Sequence, residues 1–350
     1  MEQNKRTTMY DIAEKLGISV VTVHRALHNT GRISPETKKK VLETAEEMNF
    51  QINRNAQALR RNAVRIGVIL CCPIEQFCRE IERGVRAAFS DLEPYNVVHD
   101  IHILPYTNAE NCQDEVRDAI EAVIDNGCNA AVVFLSGPTD CFTDSFEKLE
   151  NAGIPVATVV SFIPLKNLVV HISADGYCAG RMAAELLSIS CAGQRIAILT
   201  GSNSTYIHSQ NLNGFLDESK KSPFDCVDVW EHYDDSKLVN EKLEAILNSE
   251  VPYQGLYITS ASVINAFEKL SKLSPDNAPK LVTTDLFEEN RYLLKEGIAC
   301  ATIFQDPYKQ GKTAVNRIYR HLCGEQLTDR LLIPPQIMLC SNMDYYPAAE

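Results

Sequence analysis

The sequence predicts a small all-α helix-turn-helix head followed by an α/β body of two doubly wound parallel-sheet lobes. Three observations predict it. Apolar residues recur at helical spacing from Tyr10 to Met48. Beyond Asn62, short apolar runs alternate with amphipathic stretches, and that alternation runs through two successive blocks. Charge divides at the same place: residues 1–63 carry 11 Lys and Arg against 7 Asp and Glu, and the rest of the chain carries 23 against 39.

In the head, residues 10–16 put Ile12, Ala13 and Leu16 on one helical face. Gly17 breaks that helix, and Ser19 stands where a side-chain oxygen caps the next. From 20 to 28, Val23, Ala26 and Leu27 recur at helical spacing. A third helix is expected over 35–49, capped by Ser34, with Pro35 in its first turn and Val41, Leu42, Ala45 and Met48 as its inner stripe. Residues 53–62 suit a helix that is too short and polar to persist alone in water.

The body reads as strand 65–71, helix 77–92, strand 97–104, helix 113–126, strand 130–135, helix 144–152 and strand 156–160. The second block has helices at 176–188, 208–220, 237–248 and 262–273. Its strands fall at 195–200, 227–231, 255–259 and 281–284. A helix over 307–323 and a strand over 336–340 complete the sheets. Parallel strands covered on both faces by helices give this texture of near-continuous apolar runs.

Composition excludes several classes. The longest apolar runs, 66–72 and 130–135, fall far short of the roughly 20 residues that span a bilayer. Met1-Glu2-Gln3-Asn4-Lys5-Arg6 has no apolar core behind it, so a cytoplasmic location and no membrane partner are expected. The 12 cysteines form no Cys-x-x-Cys pair. Cys71 and Cys72 are adjacent and the others single, with Cys128, Cys178, Cys191 and Cys300 in apolar stretches, which predicts buried reduced thiols. His99 and His102 differ in facing along one strand and read as packed or solvated side chains. No Gly-x-Gly-x-x-Gly, Walker loop, Gly-x-Ser-x-Gly or His-Glu-x-x-His is present, so no cofactor, metal or enzymatic role is expected. The net charge of −12 disfavours nucleic acid at first sight, but the basic residues gather in the head.

Ala13, Gly17 and Val23 are the skeleton of a helix-turn-helix: a small residue at the helix crossing, a left-handed turn and a closing valine. The second helix of such a unit enters the major groove. The run Thr8-Met9-Tyr10-Asp11-Ile12-Ala13-Glu14-Lys15-Leu16-Gly17-Ile18-Ser19-Val20-Val21-Thr22-Val23-His24-Arg25-Ala26-Leu27 resembles the head of LacI/GalR-type regulators. The likeness continues through Gly31-Arg32-Ile33-Ser34-Pro35-Glu36-Thr37 and Met48-Asn49-Phe50, into a hinge-like Asn53-Arg54-Asn55-Ala56-Gln57-Ala58-Leu59-Arg60. The resemblance implies that Val20, Val21 and Arg25 face base edges. It implies that Ser19, Thr22, Ser34, Thr37 and Asn53 hold phosphates, and that Leu59 wedges into the minor groove. Thr8, Tyr10, His24, Arg32 and Ala56 complete the DNA-contacting set it implies. His24 replaces the family's usual serine and Ile52 its usual proline before the hinge.

The body resembles the periplasmic-binding-protein-like sensor of the same family, through 153–156, 175–180, 195–201, 213–215 and 301–305 taken in order. The implied organisation is a head over 1–52, a hinge or linker over 53–63 and a sensor over 64–346. Its first lobe is expected at about 64–174 and 305–334, its second at about 175–304 and 335–346. Ligands of open parallel sheets bind outside the carboxyl ends of the strands. Candidate ligand residues there are Glu75, Phe77, Ser136 and Ser161 in the first lobe. In the second they are Ser202, Asn203, Asn211, Ser260 and Asp285, with Gln305 on a crossover. Ser161, Asn211 and Ser260 stand where sugar-binding relatives commonly carry Asp, Arg and Asn. The resemblance implies a palindromic double-stranded DNA operator, a homodimer and a small effector, a sugar or sugar-like polyol. The alternative is a cytoplasmic sugar-binding protein or sugar-modifying enzyme of similar fold.

Overall fold

The protein is described by a computed structural model over residues 7, 9–28, 33–48, 63–106, 112–136, 139–221, 224–233, 235–276 and 278–346. The chain divides into two compact units, Met1–Asn62 and Ala63–Glu350.

The first unit contains α1 (Met9–Leu16), α2 (Val20–His28) and α3 (Pro35–Glu47). Ile12, Ala13, Val23, Ala26, Val41 and Ala45 form its core. Gly17 takes φ +64°, and its N–H and that of Ile18 return to the carbonyls of Glu14 and Ala13, which ends α1. Ser19 Oγ accepts the Thr22 N–H at 3.1 Å and starts α2. Ser34 does the same for α3, accepting the Thr37 N–H at 3.1 Å. One residue of the expected inner stripe is corrected: Leu42 is 45% exposed, and Thr44 is buried in its stead. Val41, Thr44, Ala45 and Met48 follow the i, i+3, i+4, i+7 rule that Leu42 breaks. The predicted hinge helix lies outside the described residues.

In the second unit the chain first builds β1 (Val64–Cys71), α4 (Glu75–Leu92), β2 (Val97–Leu104), α5 (Gln113–Asp125), β3 (Ala130–Leu135), α6 (Thr143–Asn151), β4 (Val156–Val159) and β5 (Leu168–Ala174). It then crosses to α7 (Gly176–Ser190), β6 (Arg195–Thr200), α8 (Tyr206–Ser219), β7 (Cys226–Glu231), α9 (Ser236–Leu247), β8 (Gly255–Ile258), α10 (Val263–Leu270), β9 (Lys280–Thr284), α11 (Glu288–Lys295) and β10 (Ala299–Phe304). It returns for α12 (Pro307–Leu322) and β11 (Arg330–Ile333), and crosses a third time to β12 (Gln336–Met338). The two six-stranded sheets run β11-β5-β4-β3-β1-β2 and β12-β10-β9-β8-β6-β7. All pairings are parallel except β10 with β12.

Each sheet is covered on both faces. β3 is buried at every residue, as a central parallel strand must be. In both lobes one helix pair packs backbone to backbone through glycine. A Cβ on Gly84 of α4 would lie 1.9 Å from the Tyr308 carbonyl oxygen of α12, and one on Gly180 of α7 would lie 1.9 Å from that of Asn211 on α8. Asp175 and Asp306 stand at two of the crossings and cap α7 and α12, accepting the N–H groups of Cys178 and Lys309. Strands β5, β10 and β11 and helix α11 add to the elements expected from sequence. Cys300 is exposed rather than buried, because β10 shifts register between Ala299 and Ala301 and pushes the intervening residue out. Cys323 and Cys340 are exposed as well. Among the described residues no helix is long and apolar enough to cross a membrane, and no cluster of three or more His, Cys, Asp or Glu could hold a metal ion.

Candidate functional sites

The start of α2 is the exposed polar end of the head. Ser19 Oγ and Thr22 Oγ1 lie 2.8 Å apart, Val21 is 58% exposed, and Arg25 is exposed one turn further on. Burial of Val23 and Ala26 turns Val21 and Arg25 outward, away from the core. Val20 divides its surface, packing partly against the core. Tyr10 is exposed in the first turn of α1, and Ser34 and Thr37 pair their hydroxyls at 2.7 Å at the start of α3. Thr8, Arg32, Asn53, Ala56 and Leu59 lie outside the described residues, as does the His24 side chain.

The second constellation lies at the carboxyl ends of the lobe strands. Asp285 follows β9 in a left-handed conformation, φ +70°, and is 1% exposed. Its carboxylate accepts the Gln305 backbone N–H at 3.3 Å and the Gln305 side-chain Nε2 at 3.2 Å. Burial pushes its carboxyl up to about 7, against the pull of the Gln305 hydrogen bonds. Gln310 of α12 donates from Nε2 to the Gln305 carbonyl at 2.9 Å, extending the chain of bonds from one lobe into the other.

Ser260 follows β8 and pairs with Ser262, and both hydroxyls approach Nε2 of the fully buried His232, at 3.5 and 3.1 Å. His232, absent from the candidates read from sequence, directly follows β7 at its carboxyl end. Ser202 pairs with Ser204 at 2.7 Å. Asn203 donates its backbone N–H to Glu231 at 3.0 Å and leaves its buried Oδ1 without a partner among the described residues. Asn211 is 1% exposed and turns into the lobe: its Nδ2 donates to the Ile207 carbonyl, and its Oδ1 accepts the Tyr257 hydroxyl at 3.1 Å.

In the first lobe Phe77 is buried, edge-on to Phe134 with centroids 6.1 Å apart, and shares one apolar cluster with Val160 and with Ala261 and Phe287 of the second lobe. Glu75, expected beside it, has its side chain 83% exposed and pairs with Arg79 on its own helix. The adjacent Gln76 makes the cross-lobe bond instead, donating from Nε2 to Glu289 at 3.2 Å. On a helix, one step in sequence turns a side chain to a different face. Ser136 follows β3 and donates its backbone N–H to Cys71, while Ser161 follows Val160, whose φ of +62° turns the chain sharply after β4. Phe77, Asp285 and Gln305 therefore sit at the junction of the lobes with Ser260 near them, and Glu75 and Asn211 point elsewhere.

Two family matches divide the chain as the structure does. Residues 8–53 match the lacI family of bacterial regulatory proteins, and residues 66–326 match the periplasmic binding protein domain. The chain belongs to the periplasmic binding protein family through its body, and its head matches the lacI family. Among similar curated proteins, catabolite control protein A of Priestia megaterium is 25% identical over 59% of each chain. The transcriptional regulator GalS of Salmonella typhimurium is 26% identical over 64% of this chain and 62% of its own. These two matches span about three fifths of the relatives' length. The ribose operon repressor of Lactococcus lactis subsp. lactis is 22% identical over 90% of each chain. Two of these relatives are named as a transcriptional regulator and an operon repressor.

The fold of this chain is also that of solved structures. The lac repressor dimer bound to operator and an anti-inducer matches with TM-score 0.62 and 18% identity, covering 95% of this chain and 98% of that one. GanP, a glucose-galactose binding protein from Geobacillus stearothermophilus, matches with TM-score 0.68 and 19% identity, covering 81% of this chain and 99% of its own.

Proposed function

We propose that this chain is a sequence-specific DNA-binding transcription regulator, a repressor whose operator affinity is set by a small ligand bound between the lobes of its body. The observation that carries the reading is the start of α2. Val23 and Ala26 close the core on one side, so Val21 and Arg25 project from the other at helical spacing. A helix presented by its N-terminal residues is the geometry that reads a major groove, and an arginine there bonds guanine through two N–H groups. Ser19, Thr22, Ser34 and Thr37 are hydroxyls at two helix starts, suited to phosphate oxygens. Leu59 and Asn53 belong to the same reading as the minor-groove wedge and a phosphate contact.

The effector is a sugar or sugar-like polyol. Supporting this are the polar groups at the second lobe's strand ends, among them Asp285, Gln305, Ser260 and Asn203, opposite the apolar Phe77. Solved proteins of this fold are named for glucose-galactose, D-arabinose and D-allose. Ligand that bonds both lobes favours one lobe arrangement, and DNA affinity follows reciprocally. The protein acts as a cytoplasmic homodimer on a palindromic site, without enzymatic chemistry.

The test is selection of bound DNA from a random pool, followed by mobility shifts over a range of salt. The full chain is expected to select one palindrome and to lose affinity steeply as salt rises. Arg25→Ala should weaken that binding by about tenfold to a hundredfold and relax one base position in each half-site. Selection of no palindrome, or an Arg25→Ala protein that binds as the parent does, overturns the reading.

A further inference from the structure

Strand β5 carries two buried polar side chains whose outer atoms have no hydrogen-bond partner among the described residues. Val170 and Ile172 face the apolar layer under α4 and α12, so His171 and Ser173 face the opposite side of the sheet together. Both are 0% exposed. His171 Nδ1 lies 2.9 Å from Thr158 Oγ1 on β4. His171 Nε2 and Ser173 Oγ have no hydrogen-bond partner among the described residues. An unpaired buried polar atom costs roughly 1–3 kcal/mol, so two at one place mark a position where a partner belongs. With the Thr158 hydroxyl donating to Nδ1, the neutral imidazole carries its proton on Nε2. That atom is remote from Cβ and points away from the sheet.

The layer it points into is contributed by both lobes. Phe162, from the loop after β4, and Tyr206, the first residue of α8, stand edge-on to the imidazole with centroids at 5.4 and 6.1 Å. Arg330 of β11, the register partner of His171, lays its guanidinium over Tyr206 at 4.9 Å and over Phe162 at 5.9 Å. Stacking uses the face of a guanidinium and leaves its in-plane N–H groups free. Among the described residues Arg330 pairs with no carboxylate, and α8 begins beside it with no side-chain cap from Thr205. The Arg330 guanidinium, His171 Nε2–H and the first N–H groups of α8 are thus donors at one place. Burial, and then the charge of Arg330, bring His171 down to about 4, which keeps the ring neutral.

We infer that this cluster holds the oxyanion of a small ligand, a carboxylate or a phosphate, between Arg330 and His171 with Tyr206 and Phe162 beside it. Tyr206 belongs to the second lobe and the other three residues to the first, so an anion there ties the lobes together. The inference concerns the body alone and stands whether or not the head selects a palindrome.

The experiment melts the full chain in inorganic phosphate, in acetate and in chloride at matched ionic strength and neutral pH, and follows the His171 ring nitrogens by NMR. At least one of the two oxyanions is expected to raise Tm saturably above chloride and to move the His171 signal. A response to both assigns a general oxyanion site, and a response to one alone assigns phosphate or carboxylate. Arg330→Gln, a change at an exposed side chain, should raise the midpoint by about tenfold or more. His171→Phe should weaken the response while the protein still melts cooperatively. A rise in Tm that survives Arg330→Gln unchanged belongs to the basic head and overturns the inference. No difference between the oxyanions and chloride overturns it equally.

Discussion

Asp285 and Gln305 are joined at two points: one carboxylate oxygen accepts the Gln305 backbone N–H and the other its side-chain amide. Asp285 directly follows β9, and Gln305 opens the crossing to α12, so the pair fixes one of the three connections between lobes at its root. The Asp285 carbonyl is held as well, by Thr302 Oγ1 at 2.6 Å.

Burial of Asp285, against the pull of its Gln305 bonds, makes stability depend on pH in a defined direction. Burial raises the folded carboxyl to about 7 from an ordinary value of 3.8. Between those values the unfolded chain has released its proton while the folded chain retains it, so stability falls as pH rises. The contribution is complete below the unfolded value and lost once pH passes about 7. It amounts to a few kcal/mol in order of magnitude. In urea titrations across this range, the parent should lose stability relative to Asp285→Asn as pH increases. A constant difference between the two proteins at every pH refutes the assignment.

The Asn211–Tyr257 bond gives a second prediction. Both residues are buried, and burial also raises the tyrosine hydroxyl above its usual range. Asn211→Leu leaves that hydroxyl without its acceptor and should cost about 1–3 kcal/mol in chemical denaturation. Adding Tyr257→Phe should recover part of the loss, because both partners are then apolar. Equal stability of Asn211→Leu and the parent contradicts the role given to this bond.

Glycine at the helix crossings is a third test. Gly84→Ala sets a methyl group against the Tyr308 carbonyl, and Gly180→Ala sets one against that of Asn211. Backbone cannot move aside as a flexible side chain can. Each change should destabilise the body by about 1–3 kcal/mol or more, read as a lower Tm. Gly127→Ala is an informative contrast. No atom lies within 4 Å of its added Cβ, and its cost arises from φ +64° alone.

The head offers a local counterpart. Ser34→Ala removes the oxygen that accepts the Thr37 N–H and should lower helix stability by about 1 kcal/mol. Circular dichroism melting of the full chain should resolve this as an earlier loss of the head's helical signal, and Ser34→Asp should restore it. A Ser34→Ala head that melts with the parent rules out capping as the function of this serine.

Much of the fold was legible because its signals are local. Gly17, Ser19 and Ser34 mark helix ends by their own backbone and side-chain chemistry, and they do so in the structure. Strands such as β3, buried on both faces, announce themselves as unbroken apolar runs. Strand β5 did not, because His171 and Ser173 interrupt its apolar pattern, and no neighbouring residue explains polar groups in that position. Leu42 misled for a related reason: hydrophobicity alone placed it inside, whereas the helical phase set by Val41 and Ala45 turns it out. At the candidate site, Asp285, Gln305 and Phe77 were visible as polar or aromatic residues near strand or helix ends. Gln76 was not, since nothing in its immediate sequence separates it from surface residues; His232 stands at the carboxyl end of the strand expected at 227–231, the same kind of position as the other candidates, and was the one passed over.

The amino-acid order by itself determined the helix-turn-helix head, the doubled alternation of strands and helices, and the division of charge between head and body. Periodicity, caps and glycine turns act over a few residues, so spacing encodes them directly. Only the tertiary structure decided that Gln305 returns to Asp285, that Gln76 rather than Glu75 reaches Glu289, and that Tyr206 lies under Arg330 beside His171. Those meetings depend on sheet order and on three crossings between the lobes. They bring together side chains whose separation along the chain carries no periodic signal.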